Sequence, residues 1–294
     1  MRRTAVAFAL LLSGCGSDEA LDKAPGPRPA TVMTFNVMCS ICGSSDFDPW
    51  EKRLAYFGDI FERYDPDLVG IQELTPIGDE VAQVQAELSG HSAVYFAPED
   101  ALPYPDATIF YRTSRYELLD SGEYWLSPTP DVANSTGFSP PQLARLVVWA
   151  HFEDKAGGRD LYFATTHFDN NSPSQEKSAP LVKQRTLDWQ AQYPAIVVGD
   201  FNSKPSSTAF QILTSDSDGF AFVDSQSLAE EWSAVSNQDP TPSYDLTDRI
   251  DHIFLAGQDV SWTVKEWHPD LSVYGDKNRY PSDHFPIAAT LDFH

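Results

Sequence analysis

The chain has 294 residues, with 20 Lys and Arg against 43 Asp and Glu, and a formal net charge of −23 at pH 7. So acidic a surface repels polyanions at long range and lacks the basic footprint of a dedicated nucleic-acid binder; a metal-assisted nuclease stays open, because a cation offsets charge locally. Aromatic residues make up 13% of the chain, enough for a sizeable core.

Arg2 and Arg3, followed by the apolar run from Thr4 to Leu12, read as a secretory signal. The run is shorter than the about 20 residues that a spanning helix needs. Leu12-Ser13-Gly14-Cys15 resembles the bacterial lipobox. That implies lipidation at Cys15 and an exported protein attached to a membrane through an N-terminal lipid, at the outer membrane, periplasm or cell surface. An ordinary signal peptide with a chance cysteine is the other reading. Residues 16–29 read as a polar tether and 30–294 as one domain, with no internal repeat or linker.

Within that domain, Thr31 to Met38 reads as a strand. Pro49 to Tyr64 reads as a helix, with Pro49 at its start and Leu54, Phe57 and Phe61 on one apolar face. A strand "DLVGIQEL" (67–74) and a short helix from Gly78 to Leu88 follow. Strands then dominate: "ATIFYR" (107–112), "GEYWLS" (122–127), "ARLVVWAHFE" (144–153) and "DLYFATTHFD" (160–169). Residues 175–190 read as a helix that Pro180 kinks or starts. "AIVVGD" (195–200) is the next strand, Ser206 to Leu213 a short serine-capped helix, and 248–257 and 284–294 the closing strands. Strand–helix alternation early and strand-to-strand runs later point to two packed mixed sheets with helices outside.

Polar residues recur where these strands end. Asn36 sits in "MTFNVM", Glu73 in "GIQEL", His167 and Asp169 in "TTHFD", Asp200 and Asn202 in "GDFN", Asp251 in "RIDHIF", and Asp283 and His284 in "SDHFP". One such residue is an ordinary turn or cap; six such ends on one rim would make a site. Cys39 and Cys42, spaced C-S-I-C after the first strand, read as a small disulfide near the site mouth, with free thiols and a redox pair as the other readings. His252 should point to the face opposite Asp251, and Trp125, Trp149 and Trp189 read as core.

In order and spacing, Asn36, Gln72-Glu73, Thr166-His167, Gly199-Asp200-Phe201-Asn202, Asp251 and Ser282-Asp283-His284 resemble the endonuclease/exonuclease/phosphatase superfamily, the deoxyribonuclease I-like fold. "IFYRTSRYELLDSGEYWLSPTP" resembles its bacterial secreted members. The resemblance implies an α/β (α+β) fold, a four-layer sandwich of two mixed β-sheets flanked by helices. It also implies a divalent cation, Mg²⁺ with Mn²⁺ or Ca²⁺ as alternatives, held by Glu73 with Asn36 beside metal and phosphate. Asp283 would lie near the metal or in the histidine network. Asp200 would be the general base, and Asn202 would orient water or phosphate. Asp251 would fix His284, which donates to phosphate, and His167 would bind phosphate or aid the leaving group. Arg145 would contact phosphate, with pairing to a core carboxylate as the other reading. Many relatives carry a glutamate before "IFYR" as partner to the first histidine; here Pro105-Asp106 stands there, and Asp169 is an alternative.

The implied activity is metal-assisted attack of water on a phosphate mono- or diester by a monomeric enzyme. The superfamily acts on DNA, RNA, inositol phosphates, sphingomyelin and nucleotide cofactors, and the acidic charge tilts the reading from duplex DNA towards a smaller phosphoester. An extracellular nuclease is the alternative. An inactive binding module would have lost Glu73, Asp200 or His284, and all are present.

Overall fold

The computed structural model describes residues 28–138, 143–157, 159–217 and 219–294. The signal, the lipobox with Cys15 and most of the tether lie outside the described residues.

In chain order the elements are β1 (Ala30–Asn36), α1 (Trp50–Tyr64), β2 (Leu68–Gln72), α2 (Glu80–Glu87), β3 (His91–Phe96), β4 (Tyr104–Arg112), β5 (Tyr116–Trp125), β6 (Leu146–Asp154) and β7 (Arg159–His167). Then come α3 (Ser174–Gln190), β8 (Ala195–Asp200), α4 (Thr208–Thr214), β9 (Val223–Asp224), α5 (Ser225–Leu228), β10 (Ala229–Trp232), β11 (Asp251–Ala256), β12 (Trp262–Pro269) and β13 (Ile287–Phe293). The strands form two mixed sheets, ordered β10-β12-β13-β1-β2-β4-β3 and β5-β6-β7-β8-β11-β9. The expected strands and helices are present with ends shifted by a few residues.

Three apolar layers hold these sheets. Val32, Leu68, Ile109, Phe163, Val198 and Ile253 pack between the sheets. Met33, Phe35, Phe57, Ile60 and Val84 pack under α1 and α2. Ala164, Val182, Val197, Leu213 and Phe254 pack under α3 and α4. This is the four-layer sandwich, and alternation along each strand writes it: successive side chains point to opposite faces. In β8, Ile196 and Val198 face the other sheet, whereas Ala195 and Val197 face the helices. The next residue on the inward face is Asp200. Asn36, Gln72, His167 and Asp251 continue the inward series of β1, β2, β7 and β11 in the same way.

Glycine lets the sheets and strands close at this end. A Cβ on Gly70 would lie 2.3 Å from Val198 Cγ2 and 2.5 Å from Thr165 Oγ1, so a side chain there would wedge the sheets apart. A Cβ on Gly199 would lie 2.1 Å from the Thr166 carbonyl oxygen, closing off every other residue before Asp200.

Several elements differ from the sequence reading. In α1 the buried face is Trp50, Arg53, Phe57, Ile60 and Phe61, so Arg53 takes the place expected of Leu54. Strands β3 and β12 were not predicted. A bulge between Val264 and Glu266 breaks the alternation of β12, and β3 buries only its two end residues. Pro180 sits inside α3, whose buried Ala179 and Val182 pack against the second sheet.

Candidate functional site

The register of the second sheet sets His167, Asp200 and Asp251 side by side, since His167 pairs with Asp200 across β7–β8 and Asp251 with Asp200 across β8–β11. In the first sheet, Asn36 lies beside Gln72 across β1–β2, one residue before Glu73. The two rims face each other, and Asn36 joins them: its Nδ2 donates to Glu73 Oε1 at 3.0 Å and to Asp200 Oδ2 at 3.1 Å.

Asp200 is the centre of the arrangement. Its Oδ1 accepts from the Asn202 backbone N–H at 2.8 Å, a local turn that fixes the carboxylate. Its Oδ2 faces His167 Nε2 at 3.4 Å and His284 Nε2 at 3.6 Å. Each ring is held from behind by a second carboxylate. His284 Nδ1 lies 2.8 Å from Asp251 Oδ2, and His167 Nδ1 lies 3.0 Å from Asp106 Oδ1. Two His–Asp pairs thus aim their free Nε2 atoms at one carboxylate oxygen, at distances that leave space for an atom to intervene.

The environment makes both rings donors. Burial opposes charge on His284, but Asp251, Asp200 and Asp283 outweigh it and push the ring up to about 10. Burial also opposes charge on His167, and Asp106 more than offsets it, so this ring too is raised above its ordinary value. Burial alone would raise the Asp106 carboxyl; the neighbouring charges of His167 and Arg145 hold it well below the usual carboxylate range. Arg145 Nη1 donates to Asp106 Oδ2 at 2.8 Å and lies 2.7 Å from His167 Nδ1. Arg145 therefore pairs with a carboxylate and still lines a cleft with Glu73 and His167.

Several expected residues sit differently from their sequence reading. The partner of His167 is Asp106, not Asp169, whose Oδ1 accepts from Asn171 Nδ2. Asn36 turns its amide N–H group to Glu73 and Asp200, and its Oδ1 accepts from the Met38 N–H at 3.0 Å. Asn202 spends its side-chain Nδ2 on the Phe168 carbonyl at 3.0 Å. Asp283 is exposed; its hydrogen bond comes from the Ser282 hydroxyl, and it flanks His284 in a second cleft. His252, as expected, faces away: its Nε2 reaches the Ser203 carbonyl at 2.9 Å, and burial lowers its pKa to about 4.

Arg53 is a site-supporting residue that the sequence reading missed. It is fully buried, and its guanidinium donates to the carbonyls of Val37, Met38, Cys39 and Pro281 at 2.6 to 3.2 Å. It ties the loop after Asn36 to the loop before His284. Only its face on α1 could have signalled this.

Cys39 and Cys42 form a disulfide. The Cys39 N–H donates to Glu73 Oε2 at 3.3 Å. Glu73 itself has a φ of 68°, and Asn202 a φ of 47°, both in the left-handed region that side chains seldom adopt. The disulfide, Glu73, Tyr104, Asp106, Arg145 and His167 line a cleft of about 280 Å³. Tyr244, Asp251, Asp283, His284 and Phe285 line another of about 330 Å³ on the far side of the histidines.

The donor set suits a hard cation. Glu73 accepts from an amide and a backbone N–H, both neutral donors, and sits across Asn36 from the Asp200 carboxylate. Carboxylate oxygens favour Mg²⁺, Mn²⁺ or Ca²⁺, and the disulfide removes the thiolates that softer metals prefer. Asp200, Asp251 and His284 also come within 4.8 Å of one another.

Comparison with known proteins agrees with this geometry. A protein of the endonuclease/exonuclease/phosphatase family from Bacteroides thetaiotaomicron superposes with a TM-score of 0.75 and 28% identity, covering 90% of this chain and 98% of that one. The mannosyl-6-phosphatase of the same organism superposes with a TM-score of 0.74 and 27% identity, covering 90% and 100%. Rat nocturnin is 23% identical over 212 residues, 64% of this chain and 47% of its own. The chain spans about half the length of the curated relatives it matches. The profile of the Endonuclease/Exonuclease/phosphatase family matches residues 33–284, so the chain belongs to that family of hydrolases acting on phosphoester bonds.

Proposed function

We propose that this metal-dependent phosphoesterase uses Mg²⁺ and acts on a small phosphoester of a neutral alcohol, a sugar phosphate in the first place. One observation carries the catalytic part: two imidazoles, each held by a carboxylate, converge through Nε2 on Asp200 Oδ2.

Glu73 would hold the cation, with Asn36 and Asp283 nearby; when bound, it offsets phosphate charge and polarises the phosphoryl group. The chain's own residues do the rest. Asp200, with Oδ1 fixed by the Asn202 N–H, presents Oδ2 to take a proton from the attacking water. His284 and His167 donate Nε2–H to phosphate oxygens, and Asp251 and Asp106 keep each ring oriented. Arg145 adds positive charge at the wall of the cleft. Binding of phosphate between the rings and Asp200 would replace long carboxylate contacts with short donor contacts.

Two features support a small substrate. Asp245, Asp248 and Asp283 line the cleft beside His284, so the next phosphates of a duplex would meet carboxylates. A sugar instead offers hydroxyl donors to such carboxylates and apolar faces to Tyr244 and Phe285. The similar mannosyl-6-phosphatase belongs to this substrate class. The Cys39–Cys42 disulfide fits an exported protein, in line with a signal peptide and lipidation at Cys15.

The test is a panel of hexose 6-phosphates, nucleotides, inositol phosphates, sphingomyelin, RNA and plasmid DNA, with and without Mg²⁺. Hexose phosphates should lead. Asp200→Asn should lose about 10²–10⁴-fold in kcat. Preferred cleavage of plasmid DNA or RNA would replace the reading with a nuclease. Wild-type activity in Asp200→Asn would overturn the site.

A further inference from the structure

The turn from β7 into α3 reads Asp169-Asn170-Asn171-Ser172-Pro173-Ser174-Gln175-Glu176. It contains a cluster of oxygen atoms that the hydrolytic site does not use. Asp169 is 2% exposed and Ser174 is 1% exposed. Asp169 Oδ1 accepts from Asn171 Nδ2, but Asp169 Oδ2, Asn171 Oδ1, Ser174 Oγ and Glu176 Oε2 are all buried without a hydrogen-bond partner. Among the described residues no cation pairs with Asp169. An unpaired buried carboxylate is costly, and the orphaned Asp169 Oδ2, with the orphaned Ser174 Oγ close by, calls for an occupant.

Gly137 shows where the space lies. A Cβ placed on it would sit 3.5 Å from Asp169 Oδ2, 3.6 Å from Ser174 Oγ and 3.3 Å from the Leu143 carbonyl oxygen. Oxygens from two separate segments therefore lie around the place a side chain at residue 137 would take, and the Leu143 carbonyl, which accepts from the Gly137 N–H at 2.9 Å, keeps a second lone pair.

We propose that this volume binds a second divalent cation, Ca²⁺, held by Asp169, Ser174 and the Leu143 carbonyl, with Asn171 and Glu176 completing the set. Ca²⁺ takes about 6–8 oxygens of mixed type, including carboxylates, amides and backbone carbonyls, in flexible geometry. Mg²⁺ demands a near-ideal octahedron and keeps its waters, which so mixed and crowded a set does not suit. A buried water would donate to two of the acceptors but leave the Asp169 charge uncompensated. The ion would also steady the hydrolytic site from outside. Gln175 donates to the Asn202 carbonyl at 2.8 Å, and Asn202 Nδ2 donates to the Phe168 carbonyl at 3.0 Å, so the turn is fastened to the loop carrying Asp200.

The test is calorimetric titration of the chelator-stripped protein with CaCl₂ alone, together with Tm in Ca²⁺ and in chelator. Wild type should bind a Ca²⁺ equivalent that raises Tm and survives in Glu73→Gln, which disables only the other site. Asp169→Asn should weaken that equivalent at least tenfold. Gly137→Ala should do the same without removing a ligand, because its methyl fills the cradle; its backbone lies outside the left-handed region, so the variant should fold. Two results would overturn the proposal: no Ca²⁺ bound beyond what Glu73→Gln abolishes, or wild-type affinity in both Gly137→Ala and Asp169→Asn. A Gly137→Ala variant that is folded by circular dichroism decides the matter even if Asp169→Asn does not fold.

Discussion

Where β1 and β2 begin, Asp67 accepts from Arg28 at 2.8 Å, Arg112 at 3.2 Å and Arg115 at 2.6 Å. Where the same strands end, Glu73 accepts, among the described residues, from Asn36 and the Cys39 N–H. Both carboxylates flank β2, five strand residues apart in the chain, and both are inherited from the same sandwich. At the first rim Asp67 is joined by two more acids that have a cation from the chain itself: Arg115 also clasps Asp154, and Arg159 pairs with Asp292. At the second rim Glu73 and Asp200 are turned towards each other, with an amide between them. One rim is complete as folded. The other has its negative charge arranged for something that arrives: a cation and a phosphate. A fold that hosts hydrolysis separates charges that stabilise from charges that act, and puts them at opposite ends of shared strands.

The largest way to break this comparison is through Arg115. It is 4% exposed and donates to Asp67, Asp154 and the carbonyls of Arg28 and Pro29. Arg115→Met keeps much of the volume but strands the buried Asp154 carboxylate and takes one of three cations from Asp67. It should cost about 3–5 kcal/mol of stability, read by denaturant unfolding. Its kcat per folded molecule should match wild type. A fall in kcat with unchanged stability would mean that the first rim takes part in the chemistry.

Much of the second rim was legible in the sequence, because an apolar alternation that stops on a polar residue marks both a strand end and the face it points to. Asn36, Asp200, Asp251 and His167 each continue an inward series, and the structure brings them together. Asp106 was not legible as the partner of His167. It lies in β4 beside a register shift between Tyr95 and Phe96, where counting along the strand fails. Arg53 was hidden because a charged residue on a helix is ordinarily solvated, and nothing local shows four carbonyls waiting for it. The first rim was invisible for a related reason: its members lie between residues 28 and 292, and each alone is a common surface charge.

A smaller effect sharpens the point that surroundings decide charge. Asp251 and His252 are adjacent in β11 and face opposite ways. His284, against Asp251, is held charged; His252, packed by Phe201, Phe210 and Phe254, is held neutral. Burial lowers His252 from 6.5 to about 4. A group depressed in the folded state contributes stability above its unfolded pKa and loses it as pH falls through the folded value. Stability should therefore fall by about 3 kcal/mol between pH 6.5 and 4 on this account alone. His252→Gln, which keeps an N–H for the Ser203 carbonyl, should flatten the part of that fall above the carboxylate range. An unchanged pH profile would place the acid sensitivity elsewhere.

The smallest expected effect bears most directly on the two rims, because it is a difference in sign. Asp67→Asn and Glu73→Gln are the same kind of change, a carboxylate made neutral at either end of β2. Asp67→Asn leaves three arginines without their shared anion and should destabilise by about 3 kcal/mol. Glu73→Gln removes one of the acids that crowd Asn36 and takes no cation's partner away. Measured in chelator, it should leave stability unchanged or raise it by about 1 kcal/mol, as relief of charge at functional sites does. Adding Mg²⁺ should reverse the ranking at the second rim: wild type gains stability by binding, and Glu73→Gln gains little. If Glu73→Gln instead destabilises in chelator as Asp67→Asn does, then Glu73 is a structural charge already satisfied by the fold, and the cation must be held elsewhere.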